Sequence, residues 1–280
     1  MKKLFLLPAL ILVFQCLQAQ PMTDTTFKMG WTPKGVVSIN LSQIAFDNWI
    51  QGGENSLSFL SLLNAGAYYK SKVWFLANRL KVSYGGSNNS SQYKTTDNEL
   101  RLENILIRDL SWKVNPYFSN EVRTGIVNGY EYNADARNQV TAFFDPGYIT
   151  QSLGFIFARK VFNTRLGIGL QETFTNKFNK YSDDVETSDI EKFKIESGIE
   201  SVSEANYEFI KNMIYTGRLR LFSRFNSMDV WDVNWENIVT AKVNDYINVN
   251  FTYNLIYQQD QTYRTQTKEA LQVGFSYVIF

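Results

Sequence analysis

From residue 247 to 255 the chain reads Ile-Asn-Val-Asn-Phe-Thr-Tyr-Asn-Leu: every odd position is large and apolar, every even one Asn or Thr. Period 2 is the repeat of an extended strand whose two faces meet different surroundings. The same alternation runs through 271–279, 231–236 and 37–42. These segments exceed the ~5–6 residues of an ordinary strand. A bundle of transmembrane helices would need several runs of ~18 or more apolar residues, and none occurs.

Twelve strand segments follow from this periodicity, at about 35–44, 55–69, 73–85, 97–113, 117–128, 148–160, 164–176, 193–208, 213–226, 230–243, 246–258 and 268–280. Their connections alternate. Those at 45–54, 86–96, 129–147 and 177–192 are long, and those at 70–72, 114–116, 161–163 and 209–212 are short. A meander with long loops at one end and tight turns at the other is the pattern of an outer-membrane barrel. The expected fold is therefore all-β: a transmembrane antiparallel up-and-down barrel of about twelve strands, with the long loops outside and the tight turns in the periplasm.

The polar phase carries charge at strand centres, at Arg79, Lys81, Glu99, Arg101, Glu103, Glu121, Arg123, Arg218 and Arg220. A soluble sandwich would bury its apolar face and leave these in water, but a barrel of this size has room for them and for water inside. Leu80, Leu100, Leu102, Leu219 and Leu221 are then expected to face lipid. If the loop near residue 90 centres the pairing of 73–85 with 97–113, Lys81 meets Glu99 and Ala77 meets Glu103. A turn near 211 places Glu204 opposite Arg218, with Glu200 diagonal to Arg220 and Arg224. A space-filling ladder of lumenal salt bridges is preferred here to a ligand-selective constriction.

Aromatic residues cluster at the expected strand ends, as an interfacial girdle requires. Tyr68, Tyr69, Trp74, Trp112, Tyr117, Phe118, Phe162 and Tyr246 lie near the tight turns. Phe46, Trp49, Tyr84, Phe143, Phe144, Tyr148, Phe174, Phe178, Trp231 and Tyr257 lie near the long loops. Glu172 and Arg108 fall on the apolar phase, where a bulge or a reach toward a headgroup accommodates them.

Residues 1–19 order as an export signal: Lys2 and Lys3, an apolar stretch from Leu4 to Phe14, then Gln15-Cys16-Leu17-Gln18-Ala19. Cleavage after Ala19 removes Cys16, the only cysteine, and both lysines, taking the formal charge from +1 to −1. Gln15 stands where a lipoprotein site wants a small residue, so Cys16 is read as part of the discarded signal. Residues 20–34 are expected to form a short periplasmic segment and 35–280 the barrel.

The absence of histidine removes Ser-His-Asp chemistry, His-zinc sites and His-ligated haem. Balanced charge (28 Lys and Arg against 27 Asp and Glu) offers no basic surface for nucleic acid. Gly52-Gly53-Glu54-Asn55 lacks the spacing and following helix of a phosphate loop. The acidic stretch 183–191 lacks the order of a calcium loop and is read as solvated. The expectation is a non-enzyme with no metal and no cofactor, and no catalytic or ligand-binding residue is assigned.

From Trp31 onward the chain resembles an uncharacterised family of Bacteroidetes outer-membrane barrels, known as a domain of unknown function. The resemblance rests on Gly35, Ile39-Asn40-Leu41-Ser42-Gln43, Asn48-Trp49, Gly52-Gly53-Glu54-Asn55-Ser56, Asn78 to Tyr84-Gly85, Lys94-Thr95, Asp97 and Phe143-Phe144-x-Pro146-Gly147-Tyr148. Asp145 stands where the family pattern suggests a small residue. The resemblance implies a barrel in the cell outer membrane, surrounded by lipid and lipopolysaccharide, and carries over no site. The final amphipathic strand closing in Phe280 also resembles the segment that barrel assembly machinery recognises, with Phe280 one step out of phase. Two functions remain open: a channel or transporter for a small solute, or a structural barrel with a charge-filled lumen that binds a partner or surface glycan through its outer loops.

Overall fold

The structure, a computed structural model, describes residues 27–45, 54–89, 92–132, 137–184, 187–259 and 262–280. The leader with Cys16, the Trp49 and Gly52-Gly53 segment, Phe46 and Glu186 lie outside the described residues.

Among the described residues fourteen strands follow in order: β1 (Gly30–Ile44), β2 (Ser56–Lys70), β3 (Trp74–Asn89), β4 (Gln92–Arg108), β5 (Asn115–Thr124), β6 (Gly129–Tyr132), β7 (Arg137–Thr141), β8 (Gly147–Ala158), β9 (Phe162–Phe174), β10 (Phe193–Ile210), β11 (Met213–Arg224), β12 (Asp232–Lys242), β13 (Ile247–Tyr257) and β14 (Gln266–Val278). All but β6 and β7 close into one antiparallel twelve-stranded barrel, sealed by β1 against β14 from Val36↔Val278 to Leu41↔Val273. A closed sheet leaves no edge strand with unpaired backbone groups.

Three expectations shift at element ends. β1 begins at Gly30, so residues 30–34 pair with 66–70 of β2 and belong to the wall. Asn115 and Pro116 open β5, and the turn before them is 109–114. The Asp109 carboxylate accepts from Ser111 N–H (2.7 Å) and the Asn115 side-chain oxygen from Leu110 N–H (2.9 Å), which closes that turn upstream of the proline. Residues 129–132 and 137–141 pair as the strands β6 and β7 at the long-loop end. The Tyr132 hydroxyl accepts from Thr95 N–H at 2.9 Å, tying this pair to β4.

The outer face is apolar and exposed. Leu102, Leu153, Phe155, Leu166, Ile168, Phe251, Leu271 and Phe275 are each between 38% and 65% accessible. At the turn end Trp31, Trp74, Trp112, Phe118 and Tyr246 add an exposed aromatic rim. Arg108, opposite Trp74 on this face, lays its guanidinium 5.7 Å from the Trp74 ring centre. Glu172 stands between Ile149 and Ile195 on the outer face, and neither of its pairings is interrupted by a bulge.

Tyr117 corrects the girdle assignment. It is 2% accessible and faces the lumen, where its hydroxyl meets Ser152 Oγ at 2.6 Å. With Ala77, Ile105, Ile107 and Ile156 it forms an apolar cluster inside the barrel at the turn end. Tyr68 and Phe75 pack against that cluster, and Phe27, just ahead of β1, lies 4.6 Å and 5.2 Å from their rings.

Phe280 follows the last strand. Its carbonyl accepts from Gly35 N–H at 3.1 Å. A Cβ on Gly35 would stand 2.9 Å from the Phe280 ring, so the missing side chain makes room for the terminal aromatic.

Candidate functional site

Inward positions of β3, β4 and β5 face those of β9, β10, β11 and β12 across the barrel. Arg101 of β4 reaches Glu236 of β12 at 2.7 Å, and Lys81 of β3 reaches the same carboxylate at 2.9 Å. Arg79 meets Glu103 at 2.6 Å and, on the far wall, Glu204 at 3.0 Å. Arg218 of β11 meets Glu121 of β5 at 2.6 Å. Arg165 of β9, 2% accessible, is paired with Glu103. In the barrel order β4 and β12 are six strands apart either way, so Arg101–Glu236 joins opposite walls.

The network holds five cations, Arg79, Lys81, Arg101, Arg165 and Arg218, and five carboxylates, Glu99, Glu103, Glu121, Glu204 and Glu236. Equal numbers matter because removing one member of a buried set leaves an uncompensated charge. Toward the long loops a second set repeats the balance. Arg220 pairs with Glu200 at 2.7 Å, Arg224 with Glu196 at 2.5 Å and Asp232 at 3.1 Å, and Lys194 with Glu196 at 2.9 Å.

The wall made by β1, β14 and β13 is different. Asn250 donates to Asn40 Oδ1 (2.7 Å) and Asn248 Oδ1 (2.6 Å), and Asn248 donates to Ser276 Oγ (2.8 Å). These side chains lie over Gly274, where an added Cβ would collide with Asn248 and Asn40.

Between the charged set and the remaining wall lies a cavity of about 550 Å³. It runs from 159–163 at the turn end to Ser83 and Asp97, and Val36, Leu60, Leu62 and Ile238 give it an apolar side. Across the barrel near Ser83, Lys268 of β14 holds Asp97 of β4 at 2.5 Å.

The sequence placed Arg79, Lys81, Glu99, Arg101, Glu103, Glu121, Arg218 and Arg220 in the lumen, and the structure brings all of them into the ion-paired sets. Glu204 lies opposite Arg218, as the turn near 211 implies, and Glu200 is diagonal to Arg220. Arg123 stays apart, 5.1 Å from the Tyr148 ring centre. The β3–β4 register corrects the sequence reading. Lys81 is opposite Arg101, Arg79 opposite Glu103 and Ala77 opposite Ile105. Asn89 pairs with Gln92, and Thr96 is the extra residue of a bulge between Gly85 and Gly86. Together these shift the pairing by two positions, while Lys81 still reaches Glu99 diagonally at 2.7 Å. Arg165 and Glu236 escaped the sequence reading. Both sit on the polar phase of their strands: Glu236 ends the alternating stretch 231–236 given above, and extending the alternation through 162–169 finds Arg165.

In the long-loop region, Asp145 accepts from the backbone of Asn176 (2.9 Å), Lys177 (2.8 Å) and Phe178, joining two connections. In the acidic stretch, Glu191 accepts from the Thr187 hydroxyl (2.7 Å) and Asp184 N–H (3.0 Å). The Thr187 bond first, then the Asp184 bond, hold its carboxyl below the usual carboxylate range.

Residues 41–130 match a family model described as "Protein of unknown function (DUF3078)". No curated protein matches the chain. Among solved structures the barrel is similar to an outer-membrane channel from Pseudomonas putida F1 (11% identity, TM-score 0.43, covering 93% of this chain and 99% of that one). It is also similar to the NanC porin (10%, 0.41, 87% and 98%) and to the translocator domain of the autotransporter NalP from Neisseria meningitidis (11%, 0.36, 91% and 90%).

Proposed function

We propose that this chain is a bacterial outer-membrane barrel whose lumen is a narrow passage for a small solute, closed in the observed state by ion pairs between opposite walls. Residues 1–19 serve as its export leader, the long loops face outside, and the tight turns face the periplasm. The exposed apolar outer face supports the membrane setting, since a water-soluble monomer rarely carries contiguous apolar patches beyond a few hundred Å². The Arg101–Glu236 contact carries the passage reading: a lumen wide enough for water is interrupted by side chains, which can move, rather than by backbone. The reading is non-catalytic.

Purified protein in planar bilayers tests it. The unaltered barrel is expected to pass little or no current. The double substitution Arg101→Ala with Glu236→Ala removes one charge of each sign and is expected to raise conductance at least about tenfold. A barrel that stays silent after this change would favour a structural role, with the charge-filled lumen as packing and the outer loops as the contact surface.

A further inference from the structure

The ion-paired sets are neutral, but the cavity beside them is not. Seven cationic side chains and four carboxylates line it. The carboxylates Asp97, Glu103, Glu204 and Glu236 are all engaged in ion pairs. Four of the cations, Arg79, Lys81, Arg101 and Arg218, are engaged as well. Lys34, Arg159 and Lys160 make no ion pair among the described residues.

All three line the cavity toward its turn end, Lys34 on β1 facing across the barrel the β8–β9 turn that carries Arg159 and Lys160. Lys34 lies on β1 opposite Gly66, with its ammonium 4.3 Å from the Phe27 ring centre. Arg159 and Lys160 are in the turn between β8 and β9, where the Arg159 guanidinium donates to Ala158 O at 2.8 Å and lies 4.1 Å from the ring centre of Phe157, on the strand phase opposite to the lumenal Ile156. Two buried donors on the cavity lining, Arg79 Nε and Arg159 Nε, have no hydrogen-bond partner, against one such acceptor, Asn254 Oδ1. Surplus cations on the lining ask for an anionic complement. A low-dielectric mouth lined by one sign of charge concentrates solutes of the other.

We propose that this cavity receives a small organic anion, drawn in by Lys34, Arg159 and Lys160. Its charged group lies at the turn end, between Lys34 on one wall and the β8–β9 turn on the other, and its apolar body against Val36, Leu60, Leu62 and Ile238. A volume of about 550 Å³ suits a ligand of this size. The proposal deepens the reading of the lumen as a passage and names the charge class that it takes.

Asn64 lines the cavity, is accessible, and is two residues along β2 from Gly66, the partner of Lys34. Asn64→Cys in a Cys16→Ser background makes the introduced thiol the only one in the chain. Its reaction rate is measured with a sulfonate and with a trimethylammonium methanethiosulfonate, each normalised to a free thiol in solution. The anionic reagent is expected to react about tenfold faster, an advantage that shrinks with added salt. Lys34→Glu, Arg159→Glu and Lys160→Glu together are expected to reverse the preference. If the triple variant does not fold, Lys34→Glu alone is expected to cut it about threefold. Equal rates, faster reaction of the cationic reagent, or no reaction with either would overturn the proposal. The readout needs no current, so its failure is separable from that of the passage. Conductance without charge preference sinks the anion site, and charge preference in a barrel that never conducts sinks the passage.

Discussion

Two walls of one lumen are filled by opposite means. Across β3–β5 and β9–β12 the interior is ionic, with guanidinium and ammonium groups meeting carboxylates from facing strands. Along β1, β14 and β13 it is amide, with Asn40, Asn248 and Asn250 bonding over a glycine. Both arrangements satisfy polar groups inside the barrel. They differ in what a single change does. A lost amide leaves neighbours that water can serve, whereas a lost ion leaves an unmatched charge.

The contrast breaks first at Glu103. It is 4% accessible and holds both Arg165 and Arg79. Glu103→Ala is expected to destabilise the folded barrel by about 3–5 kcal/mol, seen as a lower urea midpoint for loss of heat-modifiable migration. Replacing Glu103 by Leu together with Arg165 by Met is expected to restore most of that loss. A double variant as weak as the single one would show that the arginine itself is needed. On the amide wall, Gly274→Ala overpacks the asparagines and is expected to cost about 1–3 kcal/mol by the same assay. Asn250→Ala at that wall is expected to cost about 1 kcal/mol.

The smallest expected effect lies outside the lumen, at Glu191. Its carboxyl titrates below the ordinary range in the folded loop, so it stabilises the loop above that range, and the contribution is lost as pH falls through the lowered value. Protection of the Asp184 amide against hydrogen exchange is expected to hold at neutral pH and to fall as pH drops through that lowered value, and Glu191→Gln is expected to show no such step.

The strand faces were legible in the sequence because period 2 is dictated by the backbone and the apolar face by the surroundings. Leu102 outward and Glu103 inward follow from that alone. Register was legible where the turn is tight, as for Glu204 and Arg218, and not across the longer loop, where Thr96 adds a residue that no periodicity announces. Tyr117 misled because an aromatic residue at a strand end suits a membrane interface and a lumenal plug equally well. Only the phase set by Ser119 and Glu121 separates them. Asp145 looked out of place because its role depends on three backbone N–H groups more than thirty residues away, and local pattern does not report such partners. The surplus of cations at the cavity was beyond sequence reading, since it depends on which charges find partners across the barrel.

The division of the central network along the chain bears on how the barrel can be built. Strands β3 to β5 bring Arg79, Lys81 and Arg101 with Glu99, Glu103 and Glu121; strands β9 to β12 bring Arg165 and Arg218 with Glu204 and Glu236. Each contribution is neutral by itself. A half-formed sheet therefore presents no net charge from these groups to the half still arriving, and the cross-lumen pairs join two balanced sets. Biogenesis of this barrel does not have to hold apart, or pull together, two oppositely charged halves.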